Sequence, residues 1–510
     1  MRGVAWRSRG IALLAVTLGA LALMTPAVLV GHPNVFPDTS AYELIGQWLF
    51  ERMGLDPRGG FSVMRHRADL GLFFTMAGAR SPTYSLALFA ITNPGSAWAM
   101  AGLQSLIGSA LIALALRVTL GRFRIGPFAA LIAGMTLFTS LPWFAILMMP
   151  DVFMGYAALA AVLLIVDFDR LTRLEQVMLA LGLALALSFH ASNPPILMAI
   201  VVVAALAIAV RALPAGRAAP GLAICLLAAG AAVLTLLAYP RLVEALAHRP
   251  LSRPPFLTAR LLADGPGRDY LAKACAEGEP LALCPYQGRP MTDANAILWS
   301  PSKTEGVYEP APYSVRLAMT RQEPAFVRGV IFLEPWRTLS NLARDAWEEL
   351  IDVNVIDTLG YRDYALIARG PGFAPPFPAM RVCVRRPNLC YPTPFQLASQ
   401  GALQAGLILG AGYLILRLLA GWAWIGRRLP LAPLAGREAV ATLAVLAVTV
   451  GNAVFCGAIS GVFPRYQMRM DWIVPLWAGL CVFAAVPTGD RLAAVRAWAA
   501  SRANFKLSKS

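Results

Sequence analysis

The residues with chemical potential lie in short motifs at the edges of long apolar runs. Phe36-Pro37-Asp38-Thr39-Ser40-Ala41-Tyr42 follows the first run. A carboxylate in a partly desolvated pocket can accept a proton from a hydroxyl, which makes Asp38 a candidate general base. Asp-Thr-Ser ahead of an amphipathic segment is equally a helix N-cap signature. Met149-Pro150-Asp151-Val152-Phe153 carries an acid in a similar setting, again with a cap as the alternative. In Phe189-His190-Ala191-Ser192-Asn193 the imidazole is either a substrate contact or a satisfied structural group. Pro464-Arg465-Tyr466-Gln467-Met468-Arg469 offers a guanidinium that could hold a phosphate through charge-assisted hydrogen bonds, or an interfacial anchor formed with Tyr466. Arg65, His66 and Arg67 could hold an anion in the same way or touch lipid headgroups. The chain has no P-loop, HExxH or haem-attachment motif.

The elements that position these motifs are apolar. Of 510 residues 58% are hydrophobic and 14% charged, and the mean hydropathy is +0.60. Soluble domains are about 25% charged, so this chain has too little polar surface to cover itself in water. A membrane helix needs about 20 mainly apolar residues. Stretches without Asp, Glu, Lys or Arg run Gly10–Pro37, Ser81–Leu116, Ile125–Pro150, Val152–Val166, Gln176–Val210, Ala218–Pro240, Pro387–Leu416, Ala439–Pro464 and Trp472–Gly489. Ser192-Asn193-Pro194-Pro195 divides the fifth into two helices, because proline resists helix continuation. The expectation is an all-α polytopic membrane protein of about ten transmembrane helices.

The net charge of +16 could mark a nucleic-acid binder, but its placement says otherwise. With the N-terminus inside, the inner segments carry 19 basic residues against five acids. The outer segment 32–80 is neutral, and segment 241–398 holds 18 basic and 16 acidic residues. This is the positive-inside asymmetry of membrane proteins, and it removes the nucleic-acid reading. Residues 1–240 then hold spans one to seven, with a first outer loop at 32–80. Residues 241–398 form a soluble outer domain, and residues 399–510 hold spans eight to ten with a basic cytoplasmic tail. Both termini are expected inside. The first run could be a cleaved signal peptide, but its length favours an uncleaved anchor.

Within the first outer loop, Tyr42, Leu44, Ile45, Trp48, Leu49 and Met53 fall at helical spacing, with Glu43, Gln47 and Glu51 opposite. This reads as a helix at the membrane interface or packed against the spans. Amphipathic segments also occur around Pro324–Leu333 and Trp336–Ile351. Cys275, Cys284, Cys383 and Cys390 lie in the outer domain, whereas Cys225, Cys456 and Cys481 lie in spans. An even set outside suits disulfides, the nearest pairs being Cys275–Cys284 and Cys383–Cys390. A zinc site lacks CxxC spacing and local histidines.

The constellation Pro37-Asp38-Thr39-Ser40-Ala41-Tyr42, Pro150-Asp151, His190 and Pro464-Arg465-Tyr466 before a proline-containing last span (Pro475) resembles the GT-C superfamily of membrane glycosyltransferases. The similarity is to the branch with aminoarabinose transferases and protein O-mannosyltransferases. Thr39 departs from a pattern in which mannosyltransferases often carry a second acid there. The resemblance implies a protein of the bacterial inner membrane that transfers a sugar, on the periplasmic face, from a polyprenyl-phosphate or diphosphate donor to a glycan, lipid or protein acceptor. It implies Asp38 as base, Asp151 as its assistant or as an acceptor-orienting group, and Arg65, Arg67 or Arg465 on the leaving phosphate. Tyr42, His66, His190 and Tyr466 would contact substrate. It requires no certain cofactor, although Asp38 and Asp151 could share a divalent metal. The rival readings are a transporter or flippase for a lipid-linked or polar substrate, and a non-catalytic envelope assembly protein.

Overall fold

The structure, a computed structural model, describes residues 2–55, 77–93, 96–355, 394–421, 432–434 and 436–485. Arg65, His66, Arg67, Cys383 and Cys390 lie outside the described residues. The chain begins with α1 (Arg2–Leu23), α2 (Thr25–Val30), α3 (Pro37–Arg52), α4 (Pro82–Thr92), α5 (Ala97–Leu120), α6 (Ile125–Phe138) and α7 (Leu141–Ala145). It continues through α8 (Val152–Val166), α9 (Arg173–Ser188), α10 (Asn193–Ala209) and α11 (Ala215–Ala247). Then follow α12 (Phe256–Asp264), α13 (Pro266–Ala276), α14 (Ala294–Trp299), α15 (Tyr313–Leu333) and α16 (Pro335–Ile351). The last helices are α17 (Pro394–Leu419), α18 (Gly436–Ile459), α19 (Pro464–Asp471) and α20 (Ile473–Ala485). Among the described residues there is no strand, and the one β-bridge joins Asn34 to Leu147.

Five segments are long and apolar enough to cross a membrane: α5, α11, Gln396–Leu419 of α17, α18, and α19 with α20 taken together. Gly10–Leu23 of α1, together with α4, α6, α8 and α10, are shorter apolar helices. The stretch Ser81–Leu116, read above as one span, folds as two helices. Helix α4 ends at Thr92 and α5 begins at Ala97, with the uncharged Asn93-Pro94-Gly95-Ser96 between them; proline has no N–H with which to carry a helix on.

Helix α8 is the axis of the bundle. It is apolar on every side and all 15 of its residues are buried, as expected of a helix enclosed by others. Gly155 makes this packing close, since a Cβ there would lie 2.6 Å from the Trp472 indole. Residues 256–333 build a second core from Leu261, Leu262, Leu271, Ile297, Leu298, Met319 and Phe326. Within it Cys275 and Cys284 are disulfide-bonded, while Cys225, Cys456 and Cys481 are free and buried.

At the bundle end remote from this second core, charges are paired. Arg437 forks onto Asp169 at 2.9 and 2.8 Å, and Arg117 meets Glu175 at 2.7 Å. A cavity of about 40 Å³ there is lined by Asp167, Arg170, Arg437, Trp477 and Cys481.

Candidate functional site

The Asp38 site begins with a backbone tie. Asn34 N–H donates to Ile146 O at 3.0 Å, and Met148 N–H donates to Asn34 O at 2.8 Å. Gln104 Nε2 holds the same loop from α5 through Ala145 O and Leu147 O, both at 2.9 Å. The tie brings the turn before α3 against the turn before α8, so Asp38 and Asp151 enter one neighbourhood. Pro37 opens α3, where its missing N–H has no helical partner to lose. Thr39 performs the local capping: its Oγ1 accepts the Phe36 amide at 2.9 Å and donates to Met148 O at 3.1 Å. Asp38 is therefore not the side chain that caps α3. Asp151 stands at the start of α8 and likewise makes no side-chain cap.

Both carboxylates face arginine instead. Asp38 Oδ1 accepts a hydrogen bond from Arg80 Nη2 at 2.5 Å. Arg465 stands between the acids, with Nη2 3.7 Å from Asp38 Oδ2 and Nε 3.8 Å from Asp151 Oδ1. Asp151 is 3% exposed, whereas Asp38 keeps 26% of its side-chain surface accessible. Burial pushes the Asp38 carboxyl up, but Arg80 and Arg465 outweigh it and hold the group below its ordinary range. Asp38 is ionised at neutral pH.

Aromatic rings frame the two cations. Arg465 lies over Phe36 (4.0 Å) and near Tyr466 (5.1 Å). Arg80 lies between Tyr42 (6.0 Å) and Trp299 (5.8 Å), so α14 of the second core reaches the site. Arg80 is placed by α4, whose Ser81 and Thr83 hydroxyls both donate to Ser188 O, at 2.7 and 2.8 Å. Tyr42 is fully buried and packs edge-on against Tyr84 at 5.0 Å.

Arg469, one turn beyond Arg465, is wholly buried. Its Nη2 donates to Asn452 Oδ1 at 2.9 Å and to Ser192 Oγ at 3.0 Å. The Ser192 amide donates to Nδ1 of His190 at 3.2 Å, which makes Nδ1 an acceptor, so the Ser192 hydroxyl also donates to it, at 2.7 Å. Burial, then Arg469, Arg80 and Arg465, hold His190 well below the usual imidazole range, so it is neutral and carries its proton on Nε2. Among the described residues no carboxylate lies within 4 Å of Arg469. The buried Nη1 atoms of Arg465 and Arg469 have no hydrogen-bond partner.

The structure thus gathers Asp38, Asp151, Arg465, Tyr42 and Tyr466, and couples His190 to them electrostatically. Arg65, His66 and Arg67 fall outside the described residues. The donor set does not suit a divalent cation, because a guanidinium occupies the space between the two carboxylates; among the described residues no three His, Cys, Asp or Glu groups assemble as ligands. Sequence reading missed Arg80, Trp299 and Arg469. Arg80 borders a charge-free stretch, and Arg469 shares a helix face with Arg465 at i+4, so two of the three had a visible signal.

Glu43, placed above on the face opposite the apolar residues, is buried in α3. Helix α3 is covered on more than one side, by α4 and by Tyr239 and Val243 of α11.

Comparison with known proteins yields no match for this chain: no family model, no curated protein and no solved structure.

Proposed function

We propose that this chain is a GT-C-like membrane glycosyltransferase with ten spans, working on the side of the membrane where residues 241–398 lie. The observation that carries the reading is the meeting of Asp38 and Asp151 on the two sides of Arg465, from segments remote in sequence. Charge near lipid is expensive and marks function when it is gathered in one place.

An acceptor hydroxyl attacks the anomeric carbon of a polyprenyl-phosphate-linked sugar; the new C–O bond forms as the sugar–phosphate C–O bond breaks. The hydroxyl proton passes to Asp38, and the phosphate leaves with the bonding electron pair. In contact with Arg80 the Asp38 carboxylate is charged but weakly basic. Burial is the largest influence on it and acts upward, so an acceptor that displaces Arg80 raises its basicity as the proton arrives. The unspent Nη1 donors of Arg465 and Arg469 suit the oxygens of a departing phosphate. Asp151 fixes Arg465, and Trp299 brings the outer domain over the pocket.

The test is Asp38→Asn, assayed in vesicles with a polyprenyl-phosphate sugar donor. Transfer falls by about 10²–10⁴-fold while membrane insertion is unchanged. Full activity in that variant would overturn the assignment.

A further inference from the structure

Helix α16 is amphipathic, with its faces reversed from those of a helix on a water-soluble domain. At about 100° per residue, Thr338, Asp345 and Glu349 share one face, and all three are buried. The opposite face carries Trp336, Leu339, Trp347 and Ile351, all exposed, with Trp336 at 80%. The last turn of α15 adds exposed Ile331, Phe332 and Leu333.

The inward acids are held by the protein. Arg260 Nε donates to Asp345 Oδ2 at 2.8 Å, and the Phe463 amide donates to Glu349 Oε2 at 2.8 Å. On the flanks, Arg337 pairs with Asp269 and Glu334, and Arg344 with Glu348. No carboxylate lies within the tryptophan stripe.

The position of α16 on the bundle identifies what this stripe meets. Gly457, in the last turn of α18, abuts α16 so closely that a Cβ there would lie 2.6 Å from Asp345 O. Helix α18 has membrane length, and its Val454 and Val450, about one and two turns earlier, are themselves exposed. The stripe therefore continues the lateral apolar surface of α18 at the level where that helix ends. Beyond α16 the chain stays on the bundle, where the Val355 amide donates to Gln400 Oε1 of α17 at 2.8 Å. Tryptophan with a charge-free aliphatic stripe suits the headgroup–acyl boundary, where an interfacial helix sinks about 5–10 Å.

We propose that α16, with the last turn of α15, is seated in the boundary region of the bilayer leaflet on the Asp38 side, with its Trp336–Trp347 stripe against lipid. The proposal rests on α18 crossing the membrane and not on glycosyl transfer.

The experiment compares tryptophan emission of the full chain with that of the Trp336→Phe/Trp347→Phe double variant in phosphatidylcholine vesicles. The difference between them is the emission of these two residues. Bromine on the early acyl carbons should abolish most of that difference, while aqueous iodide leaves it intact. Quenching by iodide alone would put the stripe in water and overturn the proposal. Quenching by neither would mean a protein cover, from residues 356–393 or another chain, and would also overturn it. A chain that fails to enter vesicles at all would overturn the membrane reading itself.

Discussion

Arg80 Nη2 and Asp38 Oδ1 form a 2.5 Å charged hydrogen bond at the end of the bundle where the second core reaches in through Trp299. The pair sets the protonation of the one partly accessible acid in the site, and its removal has a definite sign.

With Arg80→Ala, burial is opposed by Arg465 alone and the Asp38 carboxyl moves upward. The acid limb of the pH–transfer profile should shift to higher pH, and Arg80→Lys should shift it less. The stability consequence follows from the same depression: the pair stabilises above the ordinary carboxylate range, and its contribution is lost as pH falls through the native value. The alanine variant should be less stable at neutral pH by about 1–2 kcal/mol, read by thermal unfolding in detergent. A profile that does not move would remove Asp38 from the role of titrating base.

Glu349 behaves in the opposite sense. Burial, only partly offset by the Phe463 amide and Arg469, pushes its carboxyl to about 8. The native state keeps a proton that the unfolded chain has released, so this group's contribution is full below its ordinary 4.5 and is lost as pH climbs to about 8. Glu349→Gln retains an acceptor for the Phe463 amide and cannot ionise. Its melting temperature should be nearly level across that window, where the unsubstituted chain declines. Parallel curves for the two proteins would contradict this.

Gly457→Leu should separate α16 from α18, because its Cβ would collide with Asp345 O and Glu349 Cβ. A cost of about 1–3 kcal/mol is expected from overpacking. Gly412→Ala, in α17 with open space around it, is the matched control and should stabilise by about 0.5–1 kcal/mol. Equal effects at the two sites would argue against a close contact between α16 and α18.

Thiol chemistry should separate the cysteines by environment. Non-reducing mass mapping should recover Cys275 linked to Cys284, while Cys225, Cys456 and Cys481 stay unlabelled by maleimide until the chain unfolds. Rapid labelling of any of the three in the native protein would refute their burial.

Asp38, Asp151 and Arg465 were legible as a set because charge at the edge of a long apolar run is costly and rare. Their contact was not legible, since it depends on backbone hydrogen bonds between Asn34, Ile146 and Met148, which carry no side-chain signature. Arg80 borders the charge-free stretch Ser81–Leu116 and so carried the same signal, but it is one of five basic residues in a loop of zero net charge and did not stand out there. Periodicity marked Trp336–Ile351 as amphipathic, but it cannot tell which face meets protein; the buried Asp345 and Glu349 reverse the ordinary assumption. Delimiting spans by charge alone merged α4 with α5, because the interruption at Asn93-Pro94-Gly95 is conformational and uncharged.

The bridge between Asn34 and Leu147 also orders the birth of the pocket. Thr39 and Met148, which hydrogen-bond beside it, are 109 positions apart, and Arg465 lies far beyond both. In a chain made from its N-terminus, the acids and Arg80 are in place while the guanidinium that joins the acids has yet to be synthesised. A stalled or shortened nascent chain would hold Asp151 without its cation. Completion of the pocket therefore waits until synthesis has passed Arg465, and up to that point Asp38 has Arg80 alone as its cation.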